Sequence, residues 1–516
     1  MTMTPQNPTA ASRYRQLESR RSSVLLRARE CAAVTIPALM PPEGHNESST
    51  LPTPYQGIGA RGVNNLSSKL LLALFPPNSP FFRLLIDDFM LVQLTKQQGM
   101  RAEVEKALNQ IERSVMNRIE SDAIRVSGFE ALKQLLVAGN VLLYLDPKGG
   151  MRTFKLNEFV VRRDPSGTVL EIVVCEKVSR ETLAQTVLGE DAPATGNDTS
   201  VELYTHITRD AGKWNVRQEV KGRTIPGTSG SYPLDKSPWI ALRFTKIDGE
   251  DYGRSYVEEY LGDIRSLEAL SQAVVEGSAA AAKVLFLVNP NGTTQIKTIA
   301  ESRSGDIRSG NAADVTVLQL NKFADFRVAS ETIDKITQRL AFAFLLNTAI
   351  QRGGERVTAE EIRFMAGELE DALGGVYSIL SQEFQLPVVT RLMFQMERAK
   401  QLPTLPKGIV RPAITTGLEA LGRGHDMNKL QTFAGIAAQA ANLPPEINRS
   451  DFLTRIGTSL GIDMAGLVKT AEEIAQEQQQ LAMQQMAQKL GPKAMDIVRD
   501  QMDPSNGDPA QAPQGG

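Results

Sequence analysis

The stretch Gly57-Ile58-Gly59-Ala60-Arg61-Gly62 fits the pattern G-x-G-x-x-G. In a dinucleotide-binding unit such glycines let the backbone approach a pyrophosphate, but the pattern needs a strand before it and a helix after it. The helix half is present, because Val63 to Leu72 reads as helical. The strand half is missing. The preceding residues are LPTPYQ, and Pro52 and Pro54 would each remove a ladder donor. Downstream the chain runs into Pro76, Pro77 and Pro80 instead of a second strand. The competing reading is a flexible loop that opens a helix, with glycines permitting close packing. The context favours that reading over nucleotide binding.

No other constellation in the sequence carries catalysis. There is no G-x-x-x-x-G-K-[ST], no G-x-S-x-G elbow and no C-x-x-C. His45, His206 and His425 stand alone, without partners at metal-ligand spacing. Asp87-Asp88 is a paired carboxylate between apolar runs and reads as a solvated turn. The expectation is therefore no catalytic residue, no metal and no cofactor.

Composition narrows the class further. With 516 residues the chain can bury a large core and form several domains. Lys+Arg 57 against Asp+Glu 59 gives a net charge of -2, so nucleic acid is not gripped over the whole surface. Any DNA contact must be local or weak. Cys31 and Cys175 lie far apart in sequence, which suits a reducing compartment. The N-terminus lacks a signal-peptide core, and runs such as Leu70 to Phe75 fall short of the roughly 18–20 apolar residues a membrane span needs.

The elements that could position functional residues follow from periodicity. Residues 9–33 read as a helix with an Arg-heavy face: Arg13, Arg15, Arg20, Arg21, Arg27 and Arg29. A solvated face is favoured there over a nucleic-acid contact. Helices are also predicted at 62–75 and 97–124. The middle, 141–245, is β-rich, with turns at Asp164-Pro165-Ser166-Gly167 and Arg209-Asp210-Ala211-Gly212 closing two hairpins. From Tyr256 the chain is helical, with Ser255 and Glu258 as a capping box. Val257, Leu261, Ile264, Leu267, Leu270 and Val274 form its stripe, which ends in the small residues Gly277-Ser278-Ala279-Ala280-Ala281-Ala282. A β-like stretch with an Asn291-Gly292 turn and a strand DVTVLQL follow, then a helix from about Ser330 bearing Ile333, Ile336, Leu340 and Phe344. The loop Ala349 to Val357 separates it from a helix capped by Thr358 and Glu361, kinked at Pro387. The C-terminal hundred residues read as helical, ending in a Gln/Met-rich segment and a disordered tail. The fold class is α+β, mainly helical.

Four stretches carry a family resemblance: YRQLESRRSSVLLRARECA, YQGIGARGVNNLSSKLLLALFPPNSPFFRL, GERVTAEEIRFMAGELEDALGGVYSILSQEFQLP and TTGLEALGRGHDMNKL. In words, order and spacing over about residues 10–470 the chain resembles the portal, or head–tail connector, proteins of short-tailed bacteriophages of the autographivirus type. The resemblance implies a dodecameric ring in the virion, at one capsid vertex, assembled in the host cytoplasm. Double-stranded DNA would pass non-specifically through its channel. Implied partners are the terminase large subunit, which supplies the ATPase, then the tail adaptor, with major capsid, scaffolding and internal core proteins and no membrane.

The same resemblance implies a division into wing, 1–253; stem helices, 254–283 and 329–347; clip, 284–328; tunnel loop, 348–357; a long kinked wing helix, 358–400; crown helices, 401–490; and a disordered tail, 491–516. Gln351, Arg352, Gly353, Gly354, Glu355 and Arg356 would then face DNA, whereas the residues alone read as a helix cap and a solvated turn. Gly277, Ser278, Ala279 and Ala280 would pack neighbouring stems. Arg303 and Arg308 are clip candidates for partner contact, being charged and in a polar loop. Two rival readings remain: an adaptor or scaffold without a channel, and a nucleotide-dependent DNA-processing enzyme using Gly57–Gly62.

Overall fold

The structure is a computed structural model and describes residues 8–46, 48–77, 80–86, 100–179, 183, 200–281, 285–318, 323–346, 367, 369, 372–373, 375–403, 410–415, 432–438, 451–453 and 455–456. It divides into two units, Met1–Leu418 and Glu419–Gly516. In the second, the described residues include a helix over 432–438 that buries Phe433.

The first unit opens with α1 (Ala10–Ala33), started by Thr9, whose side chain accepts from Ser12 N. Its arginine face is not simply solvated. Arg21 is 1% exposed and donates to the carbonyls of Leu156 (2.8 Å) and Phe159 (2.6 Å). Arg13 forks onto the buried Glu171 carboxylate. These contacts pin α1 across the sheet below it, over a small cluster of Tyr14, Leu17, Val160, Val173 and Tyr204.

Next come α2 (Ile58–Leu74), β1 (Phe82–Ile86), α3 (Met100–Ser121) and α4 (Ile124–Ala138). The predicted helix over 97–124 thus stops at Ser121. Ala123 adopts a left-handed φ of 51°, and α4 restarts at Ile124. No residue pattern announces α4, because its apolar residues run all around it. It buries Ile124, Ala131, Leu132, Leu135, Leu136 and Val137, so it lacks the one-sided stripe of a surface helix. Gly139 ends it at φ 72°, donating its N–H to Leu135 O at 2.9 Å.

The β-rich part forms two sheets. β10 (Trp239–Arg243), β2 (Asn140–Leu145) and β3 (Met151–Phe154) make one antiparallel sheet in that order. β4 (Phe159–Arg163), β5 (Val169–Ser179), β6 (Ser200–Asp210), β7 (Lys213–Val220) and β8 (Arg223–Thr224) make the other, with β9 (Gly230–Pro233) also on β7. Both predicted hairpins are present: Asp164 and Gly167 close β4–β5, and Asp210 pairs with Lys213 across β6–β7. The run Thr153 to Val161 is split by a 3-10 turn at Leu156–Glu158, so its halves enter different sheets.

α5 (Tyr256–Glu259) and α6 (Leu261–Ala281) follow. Ser255 Oγ accepts from Glu258 N at 3.1 Å, as its capping role requires. β11 (Leu285–Val288) pairs with β12 (Val315–Leu318), with α7 (Ile296–Ala300) between them. The next helix, α8, spans Phe323–Ala343. It starts at Phe323, earlier than the expected start near Ser330. α9 (Gly375–Leu380) passes through a π turn, Ser381–Gln385, into α10 (Leu386–Arg398). The expected kink at Pro387 is expressed as this wider turn just before it. Proline cannot donate to the carbonyl four residues back, and the π register accommodates the loss. Within 401–490, expected to be helical, β13 (Val410–Ile414) is a strand paired with β1.

Candidate functional site

α6 and α8 form an antiparallel pair. Asp263 near the start of α6 meets Arg339 near the end of α8 at 3.0 Å, while Gly277 near the end of α6 meets Phe326 near the start of α8. Ile264, Leu267, Ile336 and Leu340 are buried along it. A Cβ on Gly277 would lie 2.8 Å from the Phe326 ring, so this glycine serves packing within the chain. Ser278, Ala279 and Ala280 are exposed, as are Val275, Val328 and Phe342. The run of small residues therefore has an inward member and an outward face.

One end of the pair carries β11 and β12. There Asp314 Oδ2 accepts from Thr293 N (2.8 Å), Thr294 N (3.1 Å) and both threonine hydroxyls. Partial desolvation opposes ionisation, yet the donors from Thr294 and Thr293 hold the Asp314 carboxyl below its usual range. Gly292 lies so close that any side chain would overlap this carboxyl. Arg303 and Arg308 are both exposed in the adjoining loop. Arg308 pairs with Asp306 at 3.1 Å, whereas the Arg303 guanidinium has no ion-pair partner among the described residues. Ile307 between them is 97% exposed.

The other end is where the glycine pattern finds its use. α2 begins inside it, at Ile58, so Gly59 and Gly62 are helical. A Cβ on Gly59 would lie 2.7 Å from Val34 O, and one on Gly62 would lie 2.6 Å from Phe344 Cγ. Next to this seat, the last carbonyls of α8 are captured in succession. Tyr256 Oη donates to Ala343 O (2.7 Å), Asn65 Nδ2 to Phe344 O and Leu345 O (3.0 Å each), and Lys69 Nζ to Leu345 O (3.0 Å). Leu345 turns left-handed at φ 52°, and Leu346 N reaches back to Ala341 O at 2.7 Å. A helix C-terminus leaves carbonyls unpaired and carries partial negative charge, so an amide, a phenol and an ammonium are fitting caps. Phe344 stands edge-on to Tyr256, ring centroids 5.5 Å apart, and burial pushes the Tyr256 hydroxyl up from its usual pKa.

The chain leaves this latch at Leu346, and Gln351, Arg352, Gly353, Gly354, Glu355 and Arg356 lie outside the described residues. So do the Thr358 and Glu361 cap, the pair Asp87-Asp88 and His425. His206 does not stand alone, contrary to its reading from sequence. Its Nε2 lies 2.9 Å from Glu171 Oε1, and Arg13 and Arg162 reach the same carboxylate. Burial opposes ionisation of Glu171, but His206 and Arg13 outweigh it and lower its pKa to about 2. Burial likewise pushes the Cys31 thiol up to about 11, which leaves it protonated and inert at neutral pH. Among the described residues no cluster suits a metal ion, and no helix is long and apolar enough to cross a membrane.

Residues 7–468 match the family described as bacteriophage head to tail connecting protein. The portal protein of Escherichia phage T7 is 46% identical over 492 residues, covering 92% of this chain and 90% of the relative. The portal protein of Enterobacteria phage SP6 is 30% identical over 482 residues, 92% of each. Among solved structures, a chain in the neck of an empty gene transfer agent particle is similar at TM-score 0.37 and 10% identity, over 79% of this chain and 90% of that one. So slight a likeness carries no weight.

Proposed function

The chain belongs to the bacteriophage head to tail connecting proteins, the portal family of short-tailed phages, and from that premise we propose that it works as a dodecameric ring that conducts double-stranded DNA. DNA enters the procapsid through the ring during packaging and leaves through it at infection. The protein is a conduit and a docking platform, not an enzyme: a separate terminase supplies the ATPase and later yields its place to the tail adaptor. Capsid, scaffolding and internal core proteins are its other neighbours. It assembles in the host cytoplasm and resides at the portal vertex.

In this reading residues 1–253 are the wing, and α6 and α8 are the stem. The β11–β12 end is the clip, with Arg303 and Arg308 available to partners. Ser278, Ala279 and Ala280 face the neighbouring stem. Residues 348–357 are the tunnel loop, and residues 401–490 are the crown. The observation that carries the reading is the latched end of α8. Side chains from α2 and α5 fix the last carbonyls before the Gly-rich segment that bears Arg352 and Arg356. A segment that tracks phosphates needs a firm root and a mobile tip. Gly353 and Gly354, which carry no Cβ, would suit such a tip, and Glu355 would offset part of the arginine charge so that DNA is followed without being held.

Native mass spectrometry with negative-stain imaging tests the ring. Rings of about twelve subunits with a central hole support the proposal. A chain that stays monomeric even with its scaffolding protein overturns it in favour of an adaptor without a channel.

A further inference from the structure

A cavity of about 460 Å³ lies between β5, β7, β10 and the π turn that leads into α10. Its size falls within the range of small-molecule sites. Its walls are mainly apolar and include Trp214, Trp239 and Pro387. These are the chain's two tryptophans. The Trp214 indole N–H is spent on Leu234 O at 3.3 Å, and Trp239 lies against Tyr144 with ring centroids 4.3 Å apart.

The charged groups on the wall do not balance. Glu383, in the π turn, is half-buried and makes no hydrogen bond or ion pair among the described residues. Asp235, exposed and also on the wall, makes none among them either. Among the described residues the one cation lining the cavity is Arg163, which is turned to three backbone carbonyls: Asp251 O (3.1 Å), Gly167 O (3.0 Å) and Ala241 O (2.9 Å). Burial pushes its pKa down to about 10, so it is still charged at neutral pH. Among the described residues the side chains that line the cavity thus carry two carboxylates against one guanidinium, with Arg243 and Lys246 behind the wall at Gly167.

We propose that this cavity binds a small organic monocation with an apolar stem, an alkylguanidinium or alkylammonium. The head would meet Glu383 and Asp235, and the apolar stem would lie against the indoles. An anion would meet two carboxylates and an arginine already engaged. A neutral apolar guest would leave the half-buried Glu383 carboxylate without a hydrogen-bonding partner, with only the distant charge of Arg163 to offset it.

Both tryptophans line the cavity, so the intrinsic emission of the full-length chain reports its occupancy without a label. Butylguanidinium is titrated against butanol and butyrate at matched concentration and ionic strength. The expected result is a saturable emission change with butylguanidinium alone, with binding about tenfold weaker in Glu383→Gln and measurably weaker in Asp235→Asn. Circular dichroism checks that each variant is folded. If Glu383→Gln fails to fold, the exposed Asp235→Asn decides the matter. An equal response to butanol, no response to butylguanidinium, or unchanged affinity in the folded variants would overturn the proposal.

Discussion

Gly62 sits against the Phe344 ring so closely that a Cβ at residue 62 would lie 2.6 Å from Phe344 Cγ. The two residues are 282 positions apart in sequence, and their contact joins α2 to the C-terminal end of α8. A helical glycine is ordinarily worse than alanine by about 1 kcal/mol. Helix propensity alone therefore predicts that Gly62→Ala stabilises the protein. The contact predicts the reverse, a loss of about 1–3 kcal/mol through overpacking. Urea unfolding of Gly62→Ala, alone and combined with Phe344→Leu, separates the two. A smaller loss in the double variant identifies Phe344 as the obstacle.

The caps from Asn65 and Lys69 predict a different outcome. Replacing both, as Asn65→Ala with Lys69→Met, removes donors to Phe344 O and Leu345 O. Stability should fall by about 1–3 kcal/mol, and rings should still form. If the latch roots the DNA-facing segment, particles carrying this variant should leak packaged DNA, as measured by nuclease sensitivity. Full retention of DNA would count against that role.

The proposed DNA contact of Arg352 and Arg356 has its own test. Arg352→Ala with Arg356→Ala should leave ring formation intact and lower packaging yield or DNA retention. If both stay at the parental level in the same particles, the segment does not contact DNA in the way proposed.

Packing within and between subunits can be distinguished along one helix. Gly277→Ala brings a Cβ onto Phe326 of the same chain and should lower the stability of the isolated subunit. Ala280 is exposed, so Ala280→Leu should spare the subunit and impair ring assembly, by roughly 1–3 kcal/mol per site. Size-exclusion yield of rings and thermal melting of subunits report the two effects. Undiminished ring yield in Ala280→Leu would remove residue 280 from the interface.

Acid should loosen α1 from its sheet. Glu171 has its carboxyl lowered from an ordinary 4.5 to about 2 in the folded state. A depressed carboxylate contributes stability that is fully present above its unfolded value and is lost as pH falls through its folded value. The loss should therefore run from about pH 4.5 down to about pH 2. Glu171→Gln should be less stable at neutral pH by about 1.5–3 kcal/mol, because Arg13 and Arg162 lose their counter-charge. Its melting temperature should also fall less steeply with acid than that of the parent.

Local signals were legible wherever neighbours in sequence are neighbours in space. Thr9 and Ser255 start their helices, Asp164 to Gly167 closes its hairpin, and the stripe from Val257 to Leu267 is buried as its spacing required. The signals that misled were those settled by distant partners. Arg21 looked like a surface residue, yet it is buried on carbonyls supplied from more than a hundred residues away. Val410–Ile414 looked like part of a helical region, yet it pairs with Phe82–Ile86. α4 was invisible because burial around most of its second half, from Ala131 to Ala138, blurs the period that reveals a helix.

Residue order alone suffices for the family, for the absence of a nucleotide-binding context around Gly57–Gly62, and for the order of helices around the small β element. These rest on local composition, spacing and word matches, which need no coordinates. Folding in three dimensions settles what the glycines are for, that Gly277 packs inward while Ala280 faces out, that His206 shares Glu171 with two arginines, and that both tryptophans and Glu383 line one cavity. Each of these depends on which distant residue arrives at a given face. Chain topology and close packing make that choice, and neither leaves a periodic trace in the sequence.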